Sequence, residues 1–262
     1  MIRKIPMPIF CKNCLLLLSF GWISTVNAQK VPNIQERSQW LPSTSKIDGK
    51  LSEWNDLLKA YNKATLIEYT IANDDKNLYL AIRSKDKTTT AKILAGGIDF
   101  ILNTSATNAS TITFPLTPPT WIYSVKTGFA EKNYKVLSDS ISIQNDIAEM
   151  KEIKVLKLAG VSDSILSIYN KYGVKSKLTY SNGALICELL IPLDRFELPK
   201  QKTGQFTYKV RVNGVPVPAR PAGIPIPTTF APPMIIPPNS GVQELEMRYV
   251  TDFEGKYTLV KK

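Results

Sequence analysis

The stretch Lys46-Ile-Asp-Gly-Lys-Leu-Ser-Glu-Trp54 and the alternating run Asn77-Leu-Tyr-Leu-Ala-Ile-Arg83 decide the fold. In the first stretch, Asp48-Gly49 predicts a tight turn, because glycine adopts positive φ at no steric cost and aspartate hydrogen-bonds to nearby backbone. In the second, apolar residues at alternate positions point to one side, which predicts a half-buried strand. A short segment ending at Trp54 can then fold back over the sheet.

Similar alternation along the chain predicts an all-β protein. Residues 65–72 and 78–84 form a predicted hairpin around a turn at 73–77. Residues 178–192 form another, because Asn182-Gly183 is the favoured dipeptide for a two-residue turn with positive φ. Further strands are predicted at 98–103, 110–114, 204–214, 244–249 and 256–260, with a turn at 252–255 and a polar connector at Thr88-Thr89-Thr90. Residues 146–158 fit a short helix or a strand, and the all-β context favours a strand.

Several of these segments together resemble a known family. The opening 47–54, the run 73–81 and Glu188-Leu-Leu-Ile-Pro-Leu193 are similar to the family 9 carbohydrate-binding module and its DOMON-like relatives, over residues 46–213. The resemblance implies an antiparallel β-sandwich of jelly-roll type, usually secreted and sometimes with structural calcium. It also implies structural roles for Asp48, Gly49, Trp54 and Glu188, with Glu188 as a hydrogen-bonding group.

The N-terminus has the layout of a secretory signal peptide. Basic residues precede an apolar region, and small residues end it near Ala28. We therefore expect a signal peptide at 1–28, an extended lead-in at 29–45 and a single β-sandwich domain at 46–262. The apolar region is short for a bilayer span, although a retained N-terminal anchor is the alternative. The protein is expected to be exported to the periplasm, the cell surface or the medium, with no transmembrane span after processing.

The charge and the cysteines restrict the possible partners and the source of stability. Processing would lower the net charge from +11 to +8, because three basic residues lie within 1–28. The lysines are scattered and no nucleic-acid motif is present, so we expect no nucleic-acid partner. Cys187 would remain as a single thiol, and in an apolar strand it is expected to be a small buried hydrophobe. Stability must then come from a packed core.

The chemistry available to the chain favours a non-catalytic protein. There is no histidine, which excludes Ser-His-Asp and Cys-His catalysis and imidazole metal sites. No phosphate-binding or dinucleotide fingerprint is present. A carboxylate pair for glycoside hydrolysis remains open, but the spacing of the acidic residues selects none. We predict that the protein is not an enzyme.

Two groups of residues are candidate binding sites. Trp121 and Tyr123 alternate in an extended segment, so both side chains point to one side and could form a platform for the C–H faces of sugar rings; the alternative is that they cap the core. Asp74, Asp75 and Asn77 concentrate oxygen donors that suit calcium, or form a solvated turn, since the spacing lacks the glycine and distal glutamate of an EF-hand. Apart from this possible calcium, we expect no cofactor.

A proline-rich loop near the C-terminus supports a second hypothesis. Residues 215–238 carry 9 of the 18 prolines, which prohibits regular sheet or helix and predicts a polyproline-like excursion within the domain. The first hypothesis is an exported protein that binds carbohydrate through exposed aromatic residues. The alternative is an envelope interaction or assembly protein that uses this loop and has no sugar ligand. The expected partner is thus a glycan or a component of the cell envelope.

Overall fold

A computed structural model describes residues 31–103, 109–117, 140–197, 204–214 and 246–262. The described helices include α1 (Lys87–Gly96) and α2 (Ser140–Glu149), residues 246–248 are also helical, and 3-10 turns cover Ser52–Trp54 and Leu193–Arg195. The strands are β1 (Gln39–Trp40), β2 (Ala60–Asn62), β3 (Ile67–Asn73), β4 (Asn77–Ser84), β5 (Ile98–Asn103), β6 (Ala109–Phe114), β7 (Glu152–Leu156), β8 (Ile165–Ser167), β9 (Lys175–Ser181), β10 (Ala184–Pro192), β11 (Gln205–Val212) and β12 (Thr251–Thr258).

The strands form two six-stranded sheets. The first sheet has the order β1-β3-β4-β10-β9, with β2 also paired to β3, and the second has the order β12-β11-β5-β6-β7-β8. All pairs are antiparallel except β1 with β3. The predicted all-β sandwich is therefore confirmed. None of the helices in the described part of the chain is long and apolar enough to cross a membrane.

The core consists of side chains that both sheets direct inward. Tyr69 of β3 and Tyr208 of β11 are fully buried and meet across the core, with 2.9 Å between their hydroxyl oxygens. The Tyr69 hydroxyl also accepts a hydrogen bond from the backbone N–H of Gln35. Phe100 of β5 packs beside Tyr208, with ring centroids 6.4 Å apart. These hydrogen bonds satisfy the hydroxyl groups of Tyr69 and Tyr208, because a buried polar group needs a hydrogen-bond partner.

Both predicted hairpins are confirmed. Strands β3 and β4 pair from Ile67 opposite Ser84 to Asn73 opposite Leu78. Strands β9 and β10 are joined by Asn182 and Gly183, whose φ angles are 51° and 74°. Positive φ at both central positions is the geometry for which an Asn-Gly dipeptide is favoured.

The prediction of a polar connector at residues 88–90 is wrong, because these residues lie in helix α1. Asp86 caps the helix: its side-chain oxygen accepts a 2.7 Å hydrogen bond from the backbone N–H of Thr89. This contact satisfies one of the backbone donors that a helix N-terminus leaves free. Ile93 and Leu94 are then buried in the core.

The expected strand at 146–158 is only half correct. Helix α2 extends to Glu149, and strand β7 occupies the second half of the segment. Ile143 is buried in the core, and Ile147 packs against the core one helical turn later. This four-residue spacing of apolar side chains suits a helix that lies on the sandwich.

The expected C-terminal strands and their turn also differ from the structure. Residues 246–248 are helical, and β12 runs without a turn through the segment 252–255. Gly255 lies opposite Tyr208 in the register of β12 and β11. A Cβ atom at Gly255 would lie 2.3 Å from the Tyr208 hydroxyl oxygen, so the glycine leaves room for a buried ring and does not form a turn.

Asn73, the last residue of β3, contacts segments from both halves of the chain. Strand β1 pairs with β3 in a register that places Trp40 opposite Asn73. The Asn73 amide donates to the carbonyl of Val260, and its side-chain oxygen accepts from the Val260 N–H and the Tyr257 hydroxyl. The Tyr257 hydroxyl also lies 3.0 Å from the carbonyl oxygen of Gln39. The segments around residues 40 and 260 therefore lie side by side.

Candidate functional site

A covering segment, defined here as residues 41–58, lies on the outer face of the first sheet. Leu41, Leu51, Trp54 and Leu58 of this segment are buried in a small second core against β3 and β4. The Trp54 ring stacks on the Tyr79 ring, with centroids 5.8 Å apart and an interplanar angle of 25°. The sequence stretch that ends at Trp54 thus folds back over the sheet, as its aromatic residue and tight turn predict.

Gly49 lies within this segment and contacts Glu188 of β10 in the sheet below. Both residues were identified from the sequence. The Gly49 N–H donates to Oε2 of Glu188 at 2.5 Å, and the Tyr79 hydroxyl donates to Oε1 at 2.6 Å. Trp54 Nε1 donates to the Tyr79 hydroxyl at 3.4 Å. Asp48 lies beside them and closes the turn, because its side chain accepts from the Lys50 N–H at 3.0 Å.

The turn requires glycine at position 49. Gly49 has a φ of 81°, and a Cβ atom there would lie 2.1 Å from Cγ2 of Thr179 in β9. The close approach allows the Thr179 hydroxyl to donate a 2.6 Å hydrogen bond to the Gly49 carbonyl. Glycine therefore serves both the backbone conformation and the packing.

The Glu188 carboxylate is isolated from water. The residue is fully buried, and burial raises the pKa of its carboxyl to about 7, while the hydrogen bonds from Tyr79 and Gly49 act in the opposite direction. The negative charges of Glu53 and Asp48 raise the pKa further. A ligand cannot reach a carboxylate that is covered in this way. Its hydrogen bonds join the covering segment to the sheet.

In the loop proposed to bind calcium, the Asp74 oxygen atoms accept hydrogen bonds from within the loop. Asp74 Oδ1 accepts from the backbone N–H groups of Lys76 and Asn77, and the Asn77 amide donates to both Asp74 oxygens. Asp75 is exposed beside them. Within the described ranges, no three His, Cys, Asp or Glu side chains are grouped to hold a metal. Calcium binding by Asp74, Asp75 and Asn77 stays a prediction.

The sequence also singles out Cys187, Trp121 and Tyr123. Cys187 is fully buried in the core, and burial raises the pKa of its thiol, with Glu188 adding to the effect. A protonated, inaccessible thiol is a poor nucleophile. Trp121 and Tyr123 lie outside the described residues, so the aromatic platform stays a prediction.

A groove that sequence reasoning missed lies along β9. This β9 groove has a volume of about 470 Å³ and runs beside α2 and the turn after β8. Among the described strands, β9 is at the edge of the first sheet, so the groove follows a sheet edge that α2 partly covers. Its described lining residues are Gln144, Ile147, Ala148, Met150, Lys151, Ile168, Tyr169, Ser176, Lys177, Leu178, Thr179 and Tyr180.

The lining combines an apolar floor with polar and aromatic groups. Met150 and Leu178 are buried, whereas the Tyr169 side chain is 81% exposed. The Gln144 amide donates to the Tyr180 carbonyl at 3.0 Å, which shows that this carbonyl points away from the sheet. The Ser176 hydroxyl is buried and has no hydrogen-bond partner in the part of the chain that the structure describes. Such a mixture suits a polar ligand that also has an apolar face.

A second, smaller groove of about 360 Å³ lies between Tyr61, Leu66 and the β3/β4 hairpin. Its charged groups already neutralise one another, because Glu68 forms ion pairs with both Arg83 and Lys85. The β9 groove is therefore the stronger candidate for a ligand site.

Comparison with known proteins gives structural similarity, but no protein-family model and no curated protein matches the chain. Among solved structures, the chain is similar to a family 9 carbohydrate-binding module from Caldicellulosiruptor kristjanssonii, solved in complex with glucose. The identity is 10%, the match covers 86% of this chain and 96% of that chain, and the TM-score is 0.42.

Proposed function

We propose that this chain is an exported, non-catalytic carbohydrate-binding protein and that the β9 groove holds the sugar. The exposed ring of Tyr169 at the edge of the groove is the observation that carries the proposal. A flat ring can cover the C–H face of a pyranose, and this contact would remove apolar surface of both partners from water. Export is proposed from the layout of residues 1–28.

The polar groups of the groove complement the rim of a sugar. A pyranose carries hydroxyl groups around an apolar ring, so its binding site needs donors and acceptors beside an apolar surface. Gln144 offers the oxygen and the second N–H of its side-chain amide, while Ile147 and Leu178 supply apolar contacts. The Ser176 hydroxyl would gain a partner if its side chain turned towards a bound hydroxyl group.

The same lining supports binding rather than catalysis. Glycoside hydrolysis commonly needs two carboxyl groups that flank the scissile bond. None of the described residues that line the β9 groove is an aspartate or a glutamate. The chain also has no histidine to act as a general base.

A glycan array followed by titration calorimetry tests the proposal. The protein is expressed from the full sequence and recovered after export, and a mass that corresponds to Gln29 as first residue checks processing. Tyr169→Ala should weaken binding to any glycan that the array identifies by about tenfold or more, with an unchanged melting temperature. Tyr249→Ala is the matched control, because Tyr249 is 64% exposed and does not line the groove.

Two outcomes would contradict the groove as the site. If Tyr169→Ala binds as tightly as the wild type while Trp121→Ala or Tyr123→Ala loses binding, the sugar occupies the aromatic platform instead. If no glycan is retained by the wild type, carbohydrate binding itself fails, and the envelope-partner hypothesis becomes the better one.

A further inference from the structure

The charged residues that line the β9 groove all have the same sign. Lys151 precedes β7 and Lys177 lies within β9, and both contribute to the lining. No acidic side chain balances them among the described lining residues. The described lining of the groove therefore carries two positive charges and no negative one, on a chain whose net charge is also positive.

These two lysines have no ion-pair partner among the described residues. Elsewhere in the described surface, Lys85 pairs with Glu68 at 2.9 Å, and Lys209 pairs with Glu254 at 2.7 Å. Lys177 lies opposite Glu188 in the register of β9 and β10. That carboxylate instead accepts hydrogen bonds from Gly49 and Tyr79 on the outer face.

Backbone hydrogen bonds fix the main-chain positions of both lysines. The Lys151 carbonyl accepts a 2.9 Å hydrogen bond from the Ile168 N–H, which joins the end of α2 to the turn that carries Tyr169. Lys177 is paired within the β9/β10 ladder. Glu149 and Glu152 flank Lys151 in sequence and are exposed, but they do not line the groove.

We infer that the ligand of the β9 groove is an anionic polysaccharide, with sugar carboxylates that contact Lys151 and Lys177. This inference rests on the proposed function of the groove. A lysine ammonium is a compact charge with three donors, which suits the carboxylate of a uronic acid. Because exposed ion pairs contribute only weakly to affinity, the two lysines select for the acidic sugar, while Tyr169 provides the contact common to all sugars.

Calorimetry with matched oligosaccharides tests this inference. The probes are oligomers of galacturonate, mannuronate and glucuronate, each compared with its carboxyl-reduced, neutral form. At least one acidic oligomer should bind about fivefold more tightly than its reduced form, and added salt should remove the difference. The double substitution Lys151→Gln and Lys177→Gln should remove it too, whereas arginine at both positions should keep it. Lys63→Gln, at an exposed lysine outside the groove, is the control.

The outcomes separate the two proposals. Equal binding of acidic and neutral oligomers, lost in Tyr169→Ala, would overturn the inference and leave the sugar site in place. A preference for acidic oligomers that persists in the double glutamine variant would overturn the roles of Lys151 and Lys177. Absence of binding to every acidic oligomer, while a neutral glycan from the array binds the wild type and not Tyr169→Ala, would overturn the inference alone.

Discussion

The backbone N–H of Gly49 donates a 2.5 Å hydrogen bond to Oε2 of Glu188, 139 residues further along the chain. The other carboxylate oxygen accepts from the Tyr79 hydroxyl. A single buried side chain thus connects the covering segment with strands β4 and β10. The properties of this contact lead to three predictions about stability.

Glu188→Gln should lower the free energy of unfolding by roughly 1–3 kcal/mol at pH 6, because the NH₂ group of glutamine cannot accept a hydrogen bond, whereas both oxygens of the Glu188 carboxyl can, even when the group carries its proton. Glu188→Ala should cost more, since it leaves both donors without a partner and creates a cavity. Urea denaturation measures the change. The exposed Glu152 supplies the control: Glu152→Gln should change stability by no more than about 0.5 kcal/mol. A Glu188→Gln variant as stable as the wild type would contradict a structural role for this carboxylate.

The stability of the protein should depend on the protonation of Glu188. Burial raises the pKa of this carboxyl from 4.5 to about 7 in the folded state. Between these values the folded protein keeps a proton that the unfolded chain has lost, so stability falls as the pH rises from about 5 to about 7 and then levels off. The slope cannot exceed about 1.4 kcal/mol per pH unit for one proton.

Urea denaturation of the wild type and Glu188→Gln over this pH range isolates the effect. Glutamine does not titrate, so the stability advantage of the wild type should shrink as the pH rises. An advantage that stays constant, or grows, between pH 5 and pH 7 would show that Glu188 titrates near its ordinary value.

Alanine substitutions at Gly49 and Gly183 should separate backbone strain from steric clash. Both glycines have positive φ, but a Cβ atom at Gly183 meets no atom within 4 Å, whereas at Gly49 it meets Thr179. Gly183→Ala should therefore lower the free energy of unfolding by about 1 kcal/mol, the cost of the left-handed conformation. Gly49→Ala should lower it by roughly 3 kcal/mol or more, because the clash adds to the strain. Equal losses in denaturation experiments would mean that the turn moves away from Thr179.

Features that depend on residues close together in the sequence were predictable. The β3/β4 hairpin follows from alternating apolar residues around a polar turn, and the β9/β10 hairpin follows from Asn182-Gly183. Helix α1 was missed because three threonines obscured its signal. Asp86 at the N-cap and the buried pair Ile93 and Leu94 were the available indications.

Features that depend on tertiary packing were not predictable. Gly49 and Glu188 were each identified, but their contact depends on how the covering segment lies across β9 and β10. The segment 252–255 has the composition of a turn. Gly255 instead makes room for the Tyr208 ring on the paired strand. The β9 groove joins residues around 144–151, 168–169 and 176–180, so no local pattern contains it.

Asn73 holds the segments around residues 40 and 260 next to each other. The two segments should therefore come loose together: in limited proteolysis at increasing urea concentration, cleavage near residue 40 and cleavage near residue 260 should begin at the same concentration.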